Sequence, residues 1–395
     1  MVISMTNIRD TLKKNTMLIA LVVVMLLFQA LILANGKGSL FDPQNITNLI
    51  LQNSYVVILA TGMLLCILTG GNIDLSVGSV VVLVGAFAGT FIVNMKLNIY
   101  LSIFLCLLIG IAIGAWQGFW IAFVRIPAFI VTLAGMLLWR GLAQVILYGL
   151  TISPFPDDYL KYFTSFIPGE SQNAFTLSVI IGAVVFIVYV VAQILQRTQK
   201  VRKGYDVPTL PVFIAKLAIL GVVIGLLAYL LGKHKGIPVV LILLGVVVLF
   251  YGYFTSNTVP GRYLYAMGGN EKAAKLSGID TNKVLFFAYT NMGFLSAVAA
   301  LVCVARFNSA SPSAGQNYEL DAIGSCFIGG ASAYGGTGTL GGAVIGAIFM
   351  GVLNNGMSIL GVDANWQRTV KGLVLLIAVV FDVLSKKQNA KKVKA

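Results

Sequence analysis

Thr69-Gly-Gly-Asn-Ile-Asp-Leu-Ser-Val-Gly78 stands between two apolar runs, 48–69 and 77–95, each long enough to cross a bilayer. In lipid such a run must be helical, because no water is present to satisfy a free peptide group. The glycines, Asn72 and Asp74 at the join therefore break a helix where breaks are tolerated only against protein or a water-filled cavity. A second interruption of the same kind is Gly329-Gly-Ala-Ser-Ala-Tyr-Gly-Gly-Thr-Gly-Thr-Leu-Gly-Gly342. Two Gly-rich interruptions in the two halves of a chain point to a transport pathway.

The rest of the chain fits that frame. Its 395 residues are 58% hydrophobic and only 10% charged, whereas soluble domains carry about 25% charged residues. Apolar runs lie near 17–34, 48–69, 77–95, 98–123, 128–149, 174–195, 212–232, 238–254, 283–305, 338–357 and 368–384, with a shorter one at 321–334. The expectation is an all-α polytopic membrane protein of about 12 hydrophobic segments, two of them Gly-broken or re-entrant. It forms a single transmembrane domain over residues 1–395. Small residues at four-residue spacing (Gly110, Gly114 and Gly118; Gly221 and Gly225; Gly342 and Gly346) let helix backbones approach, within one subunit or across a dimer contact.

The net charge of +14 is not a nucleic-acid signal, because Lys and Arg cluster at 9–14, 197–203, 262–283 and 386–394, in short loops and at the ends. The 151–173 loop instead carries Asp157, Asp158 and Glu170 against Lys161. The positive-inside pattern therefore predicts both termini in the cytoplasm, 386–395 as a basic cytoplasmic tail, and 151–173 on the far side. The first run follows Arg9, Lys13 and Lys14 but lacks a small-x-small cleavage site, so it is read as a span.

Few side chains could carry chemistry. Asp74 is the sole acid between residues 43 and 156. It can cap the following helix through the N–H groups near Ser76, or line a substrate path with Asn72 and Ser76. Asn354 and Asn355 interrupt an apolar run and suit interhelical hydrogen bonds or substrate contact. Arg140 and Gln144 share a helix face, and Glu319 and Asp321 enter the second interruption. The single histidine, His234, lies in a turn, and Cys66, Cys106, Cys303 and Cys326 sit in apolar runs without metal-like spacing. No cofactor or metal site is expected, and no catalytic constellation is present.

The polar stretch Gly261-Arg-Tyr-Leu-Tyr-Ala-Met-Gly-Gly-Asn-Glu-Lys-Ala-Ala-Lys-Leu-Ser-Gly-Ile-Asp280 carries its own helix punctuation. Asn270 can cap a short helix, Glu271 and Lys275 stand at i, i+4, and Gly278 can end it. Ala273, Ala274, Leu276 and Ile279 offer a small apolar face with charges around it, suited to docking on another protein. The run 335–342 is Gly-rich but lacks the lysine of a phosphate-binding loop, so an ATP-driven reading requires a motor on another chain.

At this point the sequence resembles a family. The 261–279 stretch is similar to the cytoplasmic coupling loop of bacterial ribose, xylose and multiple-monosaccharide ABC importer permeases. Thr69–Gly78, Arg125-Ile-Pro-Ala-Phe-Ile-Val-Thr-Leu-Ala-Gly-Met136, Tyr318-Glu-Leu-Asp-Ala-Ile323 and Gly351-Val-Leu-Asn-Asn-Gly-Met357 resemble its other motifs, in order. The chain looks closest to the multiple-monosaccharide branch, with the xylose permease as near neighbour. Relative to shorter ribose-type permeases it resembles a longer form, with a two-span insertion over 197–255.

The resemblance implies a permease subunit in the bacterial cytoplasmic (inner) membrane, paired with a second permease copy and surrounded by lipid. It would act on a cytoplasmic ABC ATPase subunit and receive a monosaccharide from an extracytoplasmic sugar-binding protein. The coupling residues would be Arg262, Asn270, Glu271, Ala273, Ala274, Leu276 and Gly278. The alternative is a self-contained, ion-coupled secondary sugar transporter, which would need ionisable groups inside the membrane.

Overall fold

The computed structural model describes residues 16–169, 173–207 and 209–394, with side chains described to residue 384. The basic stretch at 9–14, Glu170 and the side chains of the 386–394 tail lie outside that set. Among the described residues the chain is helical almost throughout. The helices are α1 (Thr16–Ala34), α2 (Pro43–Leu68), α3 (Val77–Gly89, continued by a π-helical turn Thr90–Asn94), α4 (Ile99–Ala122), α5 (Ala128–Leu147) and α6 (Asp157–Thr164). They continue as α7 (Ala174–Arg202), α8 (Leu210–His234), α9 (Val239–Asn257), α10 (Val259–Gly269), α11 (Glu271–Leu276), α12 (Thr281–Phe307), α13 (Tyr318–Ile328), α14 (Leu340–Ile359) and α15 (Ala364–Lys394).

Helix starts follow the sequence. Asp42 accepts from Gln44 N–H ahead of Pro43, Asn98 caps α4, Thr258 caps α10, Asp280 caps α12 and Thr339 caps α14. Each such cap satisfies an otherwise orphaned donor and contributes about 1 kcal/mol. Ten described helices are long and apolar enough to cross a membrane: α1 to α5, α7, α8, α9, α12 and α14. The apolar run at 368–384 lies on α15, which also carries Arg368, Lys371 and Asp382. The run at 321–334 is divided between α13 and the irregular segment after it. At 11 residues, α13 rises only about 16 Å, roughly half of a hydrocarbon core.

Backbone contacts sort the chain into two ends. At one, Ile152 and Ala310 form an antiparallel bridge, the strand β1 (Phe166–Ile167) pairs with β2 (Ile237–Pro238), and Lys37 Nζ donates to Leu360 O. At the other, Arg125 meets Glu271 and Asn282, and Gly336 N–H donates to Leu68 O. Successive long helices run between these ends in alternation.

The core is α2, α3, α12 and α14, whose buried residues run nearly all round each helix. By contrast α7 buries only Ser178, and α8 only Ala228, Leu231 and Gly232. These two helices lie on the rim, where an apolar surface suits lipid. The small residues Gly110, Gly114 and Gly118 press α4 onto α12: Cβ atoms there would meet Gly293 O at 2.6 Å, Tyr289 O at 2.5 Å and Phe286 O at 3.1 Å. That stripe, like Gly342 and Gly346 against α13 and the turn after it, is used within the chain.

One feature had no counterpart in the reading of the sequence. The 308–317 segment does not stay at its end of the bundle. Ala310 sits beside Gly89, but the Gly315 carbonyl lies against the Gly78 backbone, 11 residues along α3, and accepts from Arg140 Nη2 at 3.2 Å. The chain thus descends about 16 Å beside α3 before α13 begins. Arg140 is accordingly held by a backbone carbonyl.

Candidate functional site

The 261–280 stretch is more helical than its polarity suggests. Α10 already occupies 259–269, with Gly261, Leu264 and Met267 buried, and the chain bends at Asn270 (φ −161°, ψ 100°) into α11. Asn270 Oδ1 accepts from Ala273 N–H at 3.0 Å, and Gly278 follows the helix at φ +84°. The apolar residues of α11 do not share one outward face. Ala274 is 5% exposed, packed inward, whereas Leu276 is 90% exposed. At 100° per residue these two positions lie about 200° apart, so one must turn in when the other turns out. Arg262 and Ala273 are exposed, as is Leu276.

Glu271 does not pair with Lys275. Its Oε1 lies 2.6 Å from Arg125 Nη1, and Arg125 Nη2 also donates to Thr281 Oγ1 at 3.0 Å and to Asn282 Oδ1. Arg125 adopts φ +65° in the α4–α5 turn to make this fork. One guanidinium therefore joins that turn, α11 and the start of α12, a planar multi-acceptor geometry that lysine cannot copy. Beside it, Asp280 accepts from Lys283 N–H and pairs with Lys283 Nζ at 3.2 Å, which holds its carboxyl below the usual range.

Next to the fork the two Gly-rich interruptions meet. After Leu68 the chain folds back into the bundle, and Asp74 N–H points at Met63 Sδ, 3.5 Å away. Asp74 Oδ1 accepts from Ser76 N–H at 2.8 Å and from Ser76 Oγ at 2.7 Å, which closes a turn just ahead of α3; the N-cap of that helix is Ser76, without a side-chain cap bond. Asn72 Nδ2 donates to Thr69 Oγ1 at 3.2 Å. The second interruption packs backbone to backbone on the first: a Cβ at Gly71 would lie 2.0 Å from Ala333 O. The end of α10 closes the same junction, since a Cβ at Gly268 would lie 1.9 Å from Leu68 O and 2.4 Å from Gly336 N. Below the junction opens a cavity of about 600 Å³, walled by Thr69, Asn72, Ile121, Ala128, Gly268 and Glu271 among others.

A short helix with an exposed apolar tip thus adjoins a cavity beneath two broken helices. Comparison with known proteins shows the family of the chain. Residues 45–379 match the family described as branched-chain amino acid transport system / permease component. The chain belongs to this permease family. The xylose transport system permease protein of Haemophilus influenzae is 38% identical over 372 residues, covering 94% of this chain and 96% of that one. The corresponding xylose protein of Escherichia coli K12 is 36% identical, covering 94% and 92%. The ribose import permease protein of E. coli K12 is 35% identical, covering 94% and 93%. No solved structure matches the chain.

The permease does not gather all the pathway candidates. Asn72, Asp74 and Ser76 stand together, but Asn354 lies far from them. Its neighbour Asn355 exchanges hydrogen bonds with Asn45, both 3.0 Å, at the start of α2. Nearly the whole of α2 (Pro43–Leu68) separates that point from Thr69, about 36 Å. The Asn45–Asn355 pair instead joins α2 to α14, a contact worth about 1 kcal/mol in a membrane.

Two features of the permease escaped the sequence reading. One is the Arg125 fork. The other is a polar knot between α2, α13 and α15: Lys371 Nζ lies 2.9 Å from Asp321 Oδ1, and Tyr55 OH donates to Asp321 Oδ2 at 2.8 Å. Tyr55 also stacks on Tyr318 at 3.9 Å between centroids. A signal existed for this one, because Lys371 interrupts an apolar run and a cation there demands an anion. For Arg125 there was none, since its acceptors lie 146 and more residues away.

Proposed function

We propose that this permease is the membrane subunit of an ATP-driven monosaccharide importer in the bacterial cytoplasmic membrane. The observation that carries the reading is the exposed Leu276 tip of α11, standing on a helix wired by Arg125 to the wall of the cavity. Names of the relatives supply the substrate class, xylose and ribose. The positive charges at 197–203 and 262–283 support a cytoplasmic α11 end and, with it, cytoplasmic termini.

A cytoplasmic ABC ATPase subunit docks on α11, with Leu276 filling a socket and Arg262 and Lys272 at the rim. An extracytoplasmic binding protein delivers sugar to the opposite end, and a second permease copy completes the membrane assembly. The two-span insertion over 197–255 takes in α8 and most of α9 and adds mass at the lipid rim. The ion-coupled alternative is disfavoured by the pairing of Asp321 with Lys371, which leaves that acid matched rather than free to carry an ion.

The test is sugar uptake into vesicles holding the permease, with the sugar-binding protein supplied on the extracytoplasmic face, with and without the ATPase subunit. Uptake of D-xylose or D-ribose that requires both the ATPase and ATP is expected. Uptake that persists without the ATPase would sink the reading.

A further inference from the structure

Beyond the 600 Å³ cavity, α3, α4 and α5 close around a set of buried polar atoms. Gln117 on α4 is 1% exposed. Its Nε2 donates to Ser76 Oγ at 2.7 Å, and Ser76 Oγ in turn donates to Asp74 Oδ1 at 2.7 Å. The direction of this chain fixes the amide. Ser76 has one hydroxyl proton, committed to the carboxylate, so its oxygen can only accept from Gln117. Gln117 Oε1 is thereby left buried and without a partner, and so is the indole N–H of Trp139 on α5.

These two side chains are neighbours. The point where Gly135 would carry a Cβ lies 3.1 Å from Gln117 Nε2, 3.1 Å from Trp139 Nε1 and 3.4 Å from Ser76 Cβ. Trp116 stands edge-on to Trp139 with ring centroids 5.2 Å apart, and is 40% exposed. A leucine and a phenylalanine would fill the same space without leaving a donor and an acceptor unsatisfied. The combination present here, one free acceptor, one free donor and aromatic faces, fits a ring that carries hydroxyls and C–H faces together.

The set also lies where a passage would close. Gln117 is one helical turn above Ile121, Ser76 follows Asn72 by four residues, and Trp139 is three turns above Ala128, all three lower residues being in the cavity wall. The cluster therefore stands further along the same elements that wall the cavity.

We propose that Gln117, Ser76 and Trp139 form the cytoplasmic gate of the sugar path, shut in this conformation. When α5 parts from α3 and α4, hydroxyls of the passing monosaccharide take up Gln117 Oε1 and the Trp139 N–H. The Arg125 fork sits at the foot of both α4 and α5, so displacement of α11 by a motor reaches the gate through that turn. The inference rests on the importer reading, and its test separates the two.

Trp139→Phe keeps the ring and removes the N–H; Gln117→Met keeps the volume and removes the free acceptor. In vesicles with the ATPase, each should lower D-xylose or D-ribose uptake roughly threefold to tenfold, the range of one lost hydrogen bond. The melting temperature of the Trp139→Phe complex should hold, because an unsatisfied donor has been removed, whereas Gln117→Met also loses the bond to Ser76 Oγ and should melt no more than slightly lower. Uptake at the wild-type KM and maximal rate in both variants overturns the gate. Should one variant not assemble, the other decides. Wild-type uptake that needs no ATPase overturns the importer reading while leaving the variant comparison intact, and wild-type vesicles that take up neither sugar bring down both.

Discussion

Arg125 Nη1 stands 2.6 Å from Glu271 Oε1, joining the α4–α5 turn to α11 across 146 residues of sequence. Both side chains are close to half exposed, so the pair itself adds less than about 1 kcal/mol to stability. Its effect is positional: α11 cannot shift without pulling on the turn that carries α4 and α5. Arg125→Ala is expected to insert, fold and capture the ATPase normally, yet lower coupled uptake roughly fivefold or more. Arg125→Lys should fall between, because an ammonium cannot hold Glu271, Thr281 and Asn282 in one plane. Co-purification of the ATPase alongside vesicle uptake checks both; loss of capture in proportion to uptake would assign Arg125 to docking instead.

Α11 turns Leu276 outward and Ala274 inward, so substitutions on the two should differ in kind. Leu276→Asp is expected to weaken ATPase capture about 30-fold, as loss of an interface anchor does, with an unchanged melting temperature. Ala274→Trp should instead lower the melting temperature, since its Cβ already packs on the chain's own core. Capture titrations and thermal melts of the detergent-purified permease distinguish these outcomes.

The junction of the two interruptions offers a control one residue away. Gly268→Ala places a methyl 1.9 Å from Leu68 O, whereas Gly269→Ala meets nothing within 4 Å. The first is expected to destabilise the permease by about 1–3 kcal/mol and impair uptake, and the second to be tolerated. Equal behaviour of the two in melting and uptake would show that the backbones do not meet here.

The Asp321–Lys371 pair is buried, with side-chain exposures of 2% and 16%. Breaking it from one side, as in Lys371→Met, leaves a lone charge and should cost about 3–5 kcal/mol. Removing both charges, in Asp321→Leu with Lys371→Met, should recover most of that loss. A thermal-melt double-mutant cycle measures the recovery, and additive losses would show that the two charges do not meet.

Much of the fold was legible because lipid leaves the backbone few choices. Runs of 20 apolar residues became helices, and the Gly-rich stretches at 69–78 and 329–342 became breaks. The candidate site was legible in part. Asn270 and Gly278 bracket α11 as their chemistry dictates, and Asp74 accepts from Ser76. The outward face of α11 was not, because which side of a six-residue helix turns to solvent depends on the partner it packs against. Nor was the descent of 308–317 along α3, which follows no periodicity in its own residues.

The sequence by itself determined that this chain is a helical membrane protein with two broken helices and a separate polar loop, because apolar run length, glycine and charge act locally. Only the tertiary structure decided that the breaks touch each other and that Arg125 holds Glu271. It alone decided that Gln117 and Trp139 face one spot above a cavity. Those relations join residues tens to hundreds of positions apart, and they depend on how close the helices pack. That distance is set by all the side chains of both helices together, and no single stretch contains it.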